Sequence, residues 1–179
     1  MTNLLQINSP IELNLLISFI DLVNFTKTVR NMDELEIFGL ISEFYETIGD
    51  FVEEAGGTVI KFIGDSALVI FPDSKVNEGI LVLRDLKTKL DKAYTEKKLS
   101  FRLQVKVHFG SVVCGKMGTR TNKVLDIIGT TVNATAGLQS NGFAMTPQVF
   151  RKLNKATRQY FKKHTPPIRY IPIEESHRD

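Results

Sequence analysis

The chain has 179 residues, of which 42% are hydrophobic and 24% charged, with a net charge of +3. That balance fits one globular domain able to bury its own core, and it excludes a disordered or collagenous chain. The single cysteine, Cys114, excludes an intrachain disulfide and suits a reducing compartment.

No apolar run is long enough to span a bilayer. Leu13 to Ile20 is too short, and it lacks the basic lead and small-residue cleavage site of a signal peptide. We expect a soluble domain without direct membrane contact, cytoplasmic in itself or as the cytoplasmic part of a larger protein. The basic residues between Arg151 and Arg169 read more simply as a solvated helix face than as a polyanion site.

Residues 1–11 read as a lead-in broken at Ser9-Pro10, residues 12–173 as one domain, and residues 174–179 as a tail. Glu12 to Ile20 is nearly continuous in apolar residues, as in a buried strand, with Asp21 at its end. Asn24 to Arg30 begins a helical region, and Asp33 is placed to cap a longer helix. There Ile37, Ile41, Phe44, Ile48 and Val52 recur at helical spacing, and Gly56-Gly57 ends the pattern. Thr58–Phe62 and Ala67–Phe71 read as a hairpin turning at Gly64-Asp65. Val76 to Tyr94 is expected as a second long helix, with Ile80, Leu83, Leu86 and Leu90 on one face. Phe101 to Phe109 alternates as a strand, and Gly110 to Gly118 continues it. Lys123–Ile128 is a further strand, Thr131–Gln139 a short helix, Phe143–Met145 a brief strand and Pro147–Leu153 a helix. Arg158–Lys162 and Ile168–Ile173 are the last strand candidates. The order βααββαβ predicts an α+β, ferredoxin-like sheet with helices on one face and a C-terminal extension.

Three places carry potential chemistry. Asp21 ends a buried strand just before a helix start, where backbone N–H groups favour phosphate and a carboxylate favours a hard cation. A plain helix cap is the alternative. Asp65 lies in the hairpin turn, where aspartate is common for conformational reasons alone. If the hairpin lies beside the first strand, Asp65 and Asp21 meet and could hold Mg²⁺ or Mn²⁺. Lys61 and Asp126 both interrupt apolar strands. They could read a purine, or pair with each other, or reach solvent.

These segments together resemble the catalytic domain of class III adenylate and guanylate cyclases, over roughly residues 13–173. The resemblance rests on Asp21 with Phe25 and Thr26, on Gly56-Gly-Thr-Val-Ile-Lys-Phe-Ile-Gly-Asp65, and on Asp126 through Asn133. The last is led by Val107-His-Phe-Gly-Ser-Val-Val-Cys-Gly-Lys-Met-Gly118.

The resemblance implies a two-metal cyclase acting as a dimer, with itself or with another cyclase domain. Asp21, Asp65 and the Leu22 carbonyl would hold two Mg²⁺ or Mn²⁺ ions, and the backbone of Asn24, Phe25 and Thr26 would cradle phosphates. Lys61 and Asp126 would read adenine, since guanylate cyclases usually carry Glu and Cys or similar residues there. Asn133 would orient the ribose. ATP is thus the implied substrate and cyclic AMP the implied product. In this family the metal pair and the base-reading pair of one site come from different subunits.

Two departures stand out. The arginine that the family places four residues after the ribose asparagine is Gly137 here. Its usual task is to stabilise charge on the α-phosphate, and loss of one such donor typically costs about 10²–10³ in rate. The family's Lys-Gly near the tail is replaced by Lys162-Lys163-His164, with Lys163 the candidate for the terminal phosphates. The chain is therefore read as a slow adenylate cyclase, in which Arg120 could substitute, or as a degenerate domain that binds nucleotide or pairs with another cyclase. A nucleic-acid binder is set aside, because the strands lack interleaved aromatic and basic residues.

Overall fold

The computed structural model describes residues 9–176. The readings at residues 1–8 and 177–179 fall outside them.

β1 (Ile11–Val23) runs through the middle of an eight-stranded sheet, antiparallel to β3 (Ser66–Pro72) and to β4 (Arg102–Gly118). β2 (Thr58–Ile63) forms the edge beyond β3. Beyond β4 lie β6 (Phe143–Met145), β8 (Arg169–Pro172) and β7 (Phe161–His164). β5 (Lys123–Ile128) pairs with the far half of β4, and β6 alone of the described strands runs parallel to its neighbour, β4. This is the expected ferredoxin-like order with its extension.

Alternation along β1 and β4 sends one set of side chains to each face. Leu16, Ile20 and Leu22 join Leu103, Val105 and Val107 in the main core. Two long helices cover that face. α2 (Glu34–Glu54) buries Phe44, Ile48 and Val52, and α3 (Val76–Glu96) buries Ile80, Leu83, Leu86 and Leu90. Each such side chain contributes about 1.5–3 kcal/mol on full burial.

The opposite, open face carries a smaller cluster of Leu15, Ile17, Leu68, Ile70, Val112, Cys114 and Ile127. A short helix, α4 (Thr130–Ala136), lies over it through Val132. This close seat requires Gly110, because a Cβ there would meet the Thr131 side chain at 2.8 Å.

Several boundaries differ from the pattern reading. β1 continues through Asp21 to Val23, because the ladder with β4 persists as far as Val23 opposite Arg102. The following helix, α1, is correspondingly short (Phe25–Val29). α4 stops at Ala136, with Gly137 as its cap, instead of reaching Gln139. Lys155–Arg158 is a helical turn, α6, and not the start of a strand. The Asn154 side chain caps it, accepting from the Thr157 N–H at 2.8 Å, so β7 begins only at Phe161. α5 (Pro147–Lys152) precedes it.

Asp33 caps α2 as expected. Its Oδ1 accepts from the N–H groups of Leu35 and Glu36, both at 2.9 Å, while Glu36 reaches back to the Asp33 N–H. Asp33→Ala is expected to destabilise the domain by about 1 kcal/mol. In urea unfolding this appears as a lower midpoint at unchanged slope.

Candidate functional site

Asp21 lies opposite Ser66 on β3 and Gln104 on β4. Its neighbours Ile20 and Leu22 are buried in the main core, so Asp21 projects from the open face. The Ser66 hydroxyl donates to Asp21 Oδ1. The Leu22 N–H donates to the Asp65 carbonyl at 3.2 Å, which ties the hairpin turn to the end of β1. The two aspartates that the sequence pattern nominated thus sit side by side. Burial pushes the Asp65 carboxyl above the ordinary carboxylate range; its own backbone N–H opposes this, and the nearby Asp21 charge adds to it.

The turn itself is braced from the helix side. Gly64 takes a left-handed conformation, φ 57°, and its carbonyl accepts from the Tyr45 hydroxyl at 2.8 Å. The Tyr45 ring stacks on Phe62 at 3.8 Å. Beside Asp21 is a hollow of about 230 Å³, lined also by Ser66, Gln104, Lys106 and Ala136.

Lys61 and Asp126 form a second pair. The register of β2 against β3 shifts between Val59 and Lys61, a bulge that inserts Ile60. The bulge leaves Lys61 opposite Leu68, on the open face, where β5 folds across. There the Lys61 ammonium donates to Asp126 Oδ2 at 2.6 Å, while the Ile127 N–H donates to Oδ1 at 2.8 Å. Lys61 keeps 41% of its side-chain surface exposed, so the pair is accessible to a ligand. Of the three readings left open for these residues, the structure shows mutual pairing. No hydrogen bond or ion pair links the two sites among the described residues.

Asn133 is exposed on α4, and its backbone carbonyl accepts from the Gly137 N–H at 3.0 Å. Thr131, in the same helix, donates to the Ser111 carbonyl at 2.6 Å. Asn24 is exposed with φ 70°, and the Phe25 side chain packs on the core, 5.8 Å from Phe101. Thr26 is exposed in the first turn of α1, whose leading N–H groups have no partner within the helix. Lys163 lies on β7, at the sheet edge opposite β2, and is not brought near Asp21 within one chain. Arg120 is exposed in the β4–β5 turn. Pattern reading missed Lys106, Ser66 and Gly110, because their significance lies in contacts with residues distant in sequence, on α4 for Lys106 and Gly110 and on β1 for Ser66.

Residues 9–167 match the family model of the adenylate and guanylate cyclase catalytic domain. The chain belongs to this family. An adenylate cyclase of Streptomyces coelicolor is 32% identical over 130 residues, covering 73% of this chain and 30% of that protein. An adenylate cyclase of Anabaena cylindrica is 25% identical, covering 69% of the chain and 26% of the relative. A receptor-type guanylate cyclase of Caenorhabditis elegans is 27% identical, with coverage of 70% and 13%. The chain therefore matches only a fraction of each of these relatives. Among solved structures, the adenylyl cyclase CyaB from P. aeruginosa superposes with a TM-score of 0.79 at 14% identity, covering 96% of this cyclase domain and 98% of that chain. The guanylyl cyclase Cya2 gives 0.75 at 17%, with coverage of 89% and 91%. These likenesses establish the shared fold. Among the described residues of the domain, no helix is long and apolar enough to cross a membrane.

The raised Asp65 carboxyl has a consequence for stability. Its ionised form is disfavoured in the folded state, so folding loses stability as pH rises from the ordinary value of 3.8 through the higher folded value. Asp65→Asn is expected to raise the thermal midpoint at neutral pH in a chelating buffer. The gain should vanish below pH 3.8, where the carboxyl is already neutral.

Proposed function

We propose that this domain converts ATP to cyclic AMP and pyrophosphate at sites formed between two cyclase domains, as a homodimer or with another cyclase subunit. The observation that carries this reading is the juxtaposition of Asp21 and Asp65. Burial raises the cost of ionising Asp65, the Asp21 charge adds to it, and a divalent cation would relieve both.

The residues fit a pair of Mg²⁺ or Mn²⁺ ions. All candidate donors are oxygens, as these cations require. In an extended strand the N–H and C=O of one residue point to the same side, so the Leu22 carbonyl faces the Asp65 turn. No group of three acidic, His or Cys ligands exists among the described residues. Asp21, Asp65 and the Leu22 carbonyl would therefore share the ions with substrate phosphate oxygens. The ions would supply acidification of the ribose hydroxyl and neutralisation of phosphate charge. The reaction forms one bond, from the ribose 3′ oxygen to the α-phosphorus, and breaks that from the α-phosphorus to the pyrophosphate oxygen. The protein's part is to align these atoms.

Lys61 and Asp126 support adenine over guanine. An ammonium donates to a ring nitrogen, and a carboxylate accepts from an exocyclic amino group. Their 2.6 Å pairing holds both ends ready and would open on nucleotide entry. Asn133 would position the ribose, and the first turn of α1 the phosphates, with Lys163 reaching the terminal phosphate from the partner. Pairing is supported by exposed apolar side chains on the β4–β5 arm, where Val113 is opposite Ile128 and Met117 opposite Val124.

With Mn²⁺ and ATP, the purified domain should form cyclic AMP, with specific activity rising as protein concentration drives pairing. Asp65→Ala should remove the activity, and absence of product at high protein and metal would refute the catalytic reading.

One observation favours a second reading, a domain that binds nucleotide without turnover. α4 ends at Gly137, which has no side chain to offer a phosphate. The backbone there is helical, φ −76°, and a Cβ would come no nearer than 3.4 Å to another atom, so a side chain fits. Gly137→Arg should raise the rate, by up to about 10²–10³. An unchanged rate would favour the second reading.

A further inference from the structure

Lys106 stands on β4 two residues from Gln104, so both side chains leave the open face with Asp21. Gln104 is directly opposite Asp21, which makes Lys106 the diagonal neighbour of that carboxylate, with backbones about 7–8 Å apart. Lys106 lines the 230 Å³ hollow beside Asp21. It also lines a second hollow of about 440 Å³ formed by the Gly137–Asn141 loop and Arg169. It is the residue that the two hollows share.

The partner of this lysine sets it apart from Lys61 and Lys87. Lys61 pairs with Asp126, and the buried Lys87 with Asp91 and Glu175. Lys106 is half-buried and has no carboxylate within 4.0 Å among the described residues. Its ammonium donates to a neutral acceptor, the Ala136 carbonyl at the end of α4, at 3.1 Å. Two of its three donors remain available. Asp21 and Lys106 thus share a hollow without an ion pair between them. One is left to attract a cation, the other an anion. A divalent metal carrying a polyphosphate meets both demands at once.

We propose that Lys106 is a phosphate-binding residue, contacting the polyphosphate of the nucleotide from the same chain that supplies Asp21. This inference rests on the nucleotide-cyclising reading above. It moves the cation that α4 lacks at Gly137 to β4, on the metal-holding half of the site. Swinging the ammonium from the Ala136 carbonyl to a phosphate oxygen exchanges a neutral hydrogen bond for a charge-assisted one, which is the stronger.

The test is calorimetric titration of the wild type, Lys106→Met and Lys106→Arg with Mn²⁺-tripolyphosphate, with Mn²⁺-ATP and with adenosine. Lys106→Met should weaken both phosphate ligands about tenfold or more. Lys106→Arg should retain most of the affinity, and adenosine binding should be the same in all three proteins. A Lys106→Met variant with undiminished affinity for both phosphate ligands would overturn the proposal. So would one that loses only thermal stability, since that outcome makes Lys106 a cap of α4 and nothing more. A wild type that does not bind tripolyphosphate overturns it as well. Lys106-dependent tripolyphosphate binding without any cyclic product would uphold the phosphate contact and refute catalysis, which separates the two readings.

Discussion

β1 is hydrogen-bonded along both sides, and the arrangement of charge on the open face depends on that double pairing. Its ladder with β3 puts Asp21 opposite Ser66, and its ladder with β4 puts Asp21 opposite Gln104. Because side chains alternate with a period of two, a slip of one residue would drive Asp21 into the core and expel Ile20 or Leu22. The apolar residues of β1 hold the carboxylate in place by making every other register costly. The turn that carries Asp65 is then drawn to the same end by the Leu22 N–H.

The open face separates its charges by degree of satisfaction. Lys61 and Asp126 neutralise one another across β2 and β5. Asp21 and Asp65 are of like sign and adjacent, and Lys106 lies diagonally across from Asp21 with a carbonyl as its partner. Charges of both signs held close together and left unpaired make a surface suited to a ligand that is itself a salt. A chelate of a divalent ion and a polyphosphate is such a ligand. The chain belongs to the adenylate and guanylate cyclase catalytic-domain family, and the nucleotide proposed as its substrate would be a ligand of that kind.

Much of the architecture was legible in the residues. The Asp33 cap and the Gly64-Asp65 hairpin rest on local turn chemistry and are found; of the helically spaced Ile37, Ile41, Phe44, Ile48 and Val52, the last three are buried and Ile37 and Ile41 only half-buried. The less legible features depend on contacts distant in sequence. β1 outlasts its apolar run because β4 continues to pair with it. The seat of α4 requires Gly110 under Thr131, twenty-one residues apart in the chain by their numbers. The bulge that puts Ile60 and Lys61 on one face leaves no mark in composition. Lys106 alternates with Val105 and Val107 and so reads as an ordinary solvated lysine until the end of α4 is seen beside it. The aspartates were easier to nominate, since a carboxylate at the end of an apolar strand stands out without any knowledge of its neighbours.

Tyr45 reaches from the middle of α2 across to the tip of the β2–β3 hairpin, stacking on Phe62 and bonding the Gly64 carbonyl. That makes the helix and the loop a single lever. A displacement of the helix along or about its axis would therefore carry the peptide next to Asp65 with it, because an aromatic stack and a directional bond resist both sliding and tilting. Leu35 and Phe38 stand out into solvent on the first turns of the same helix.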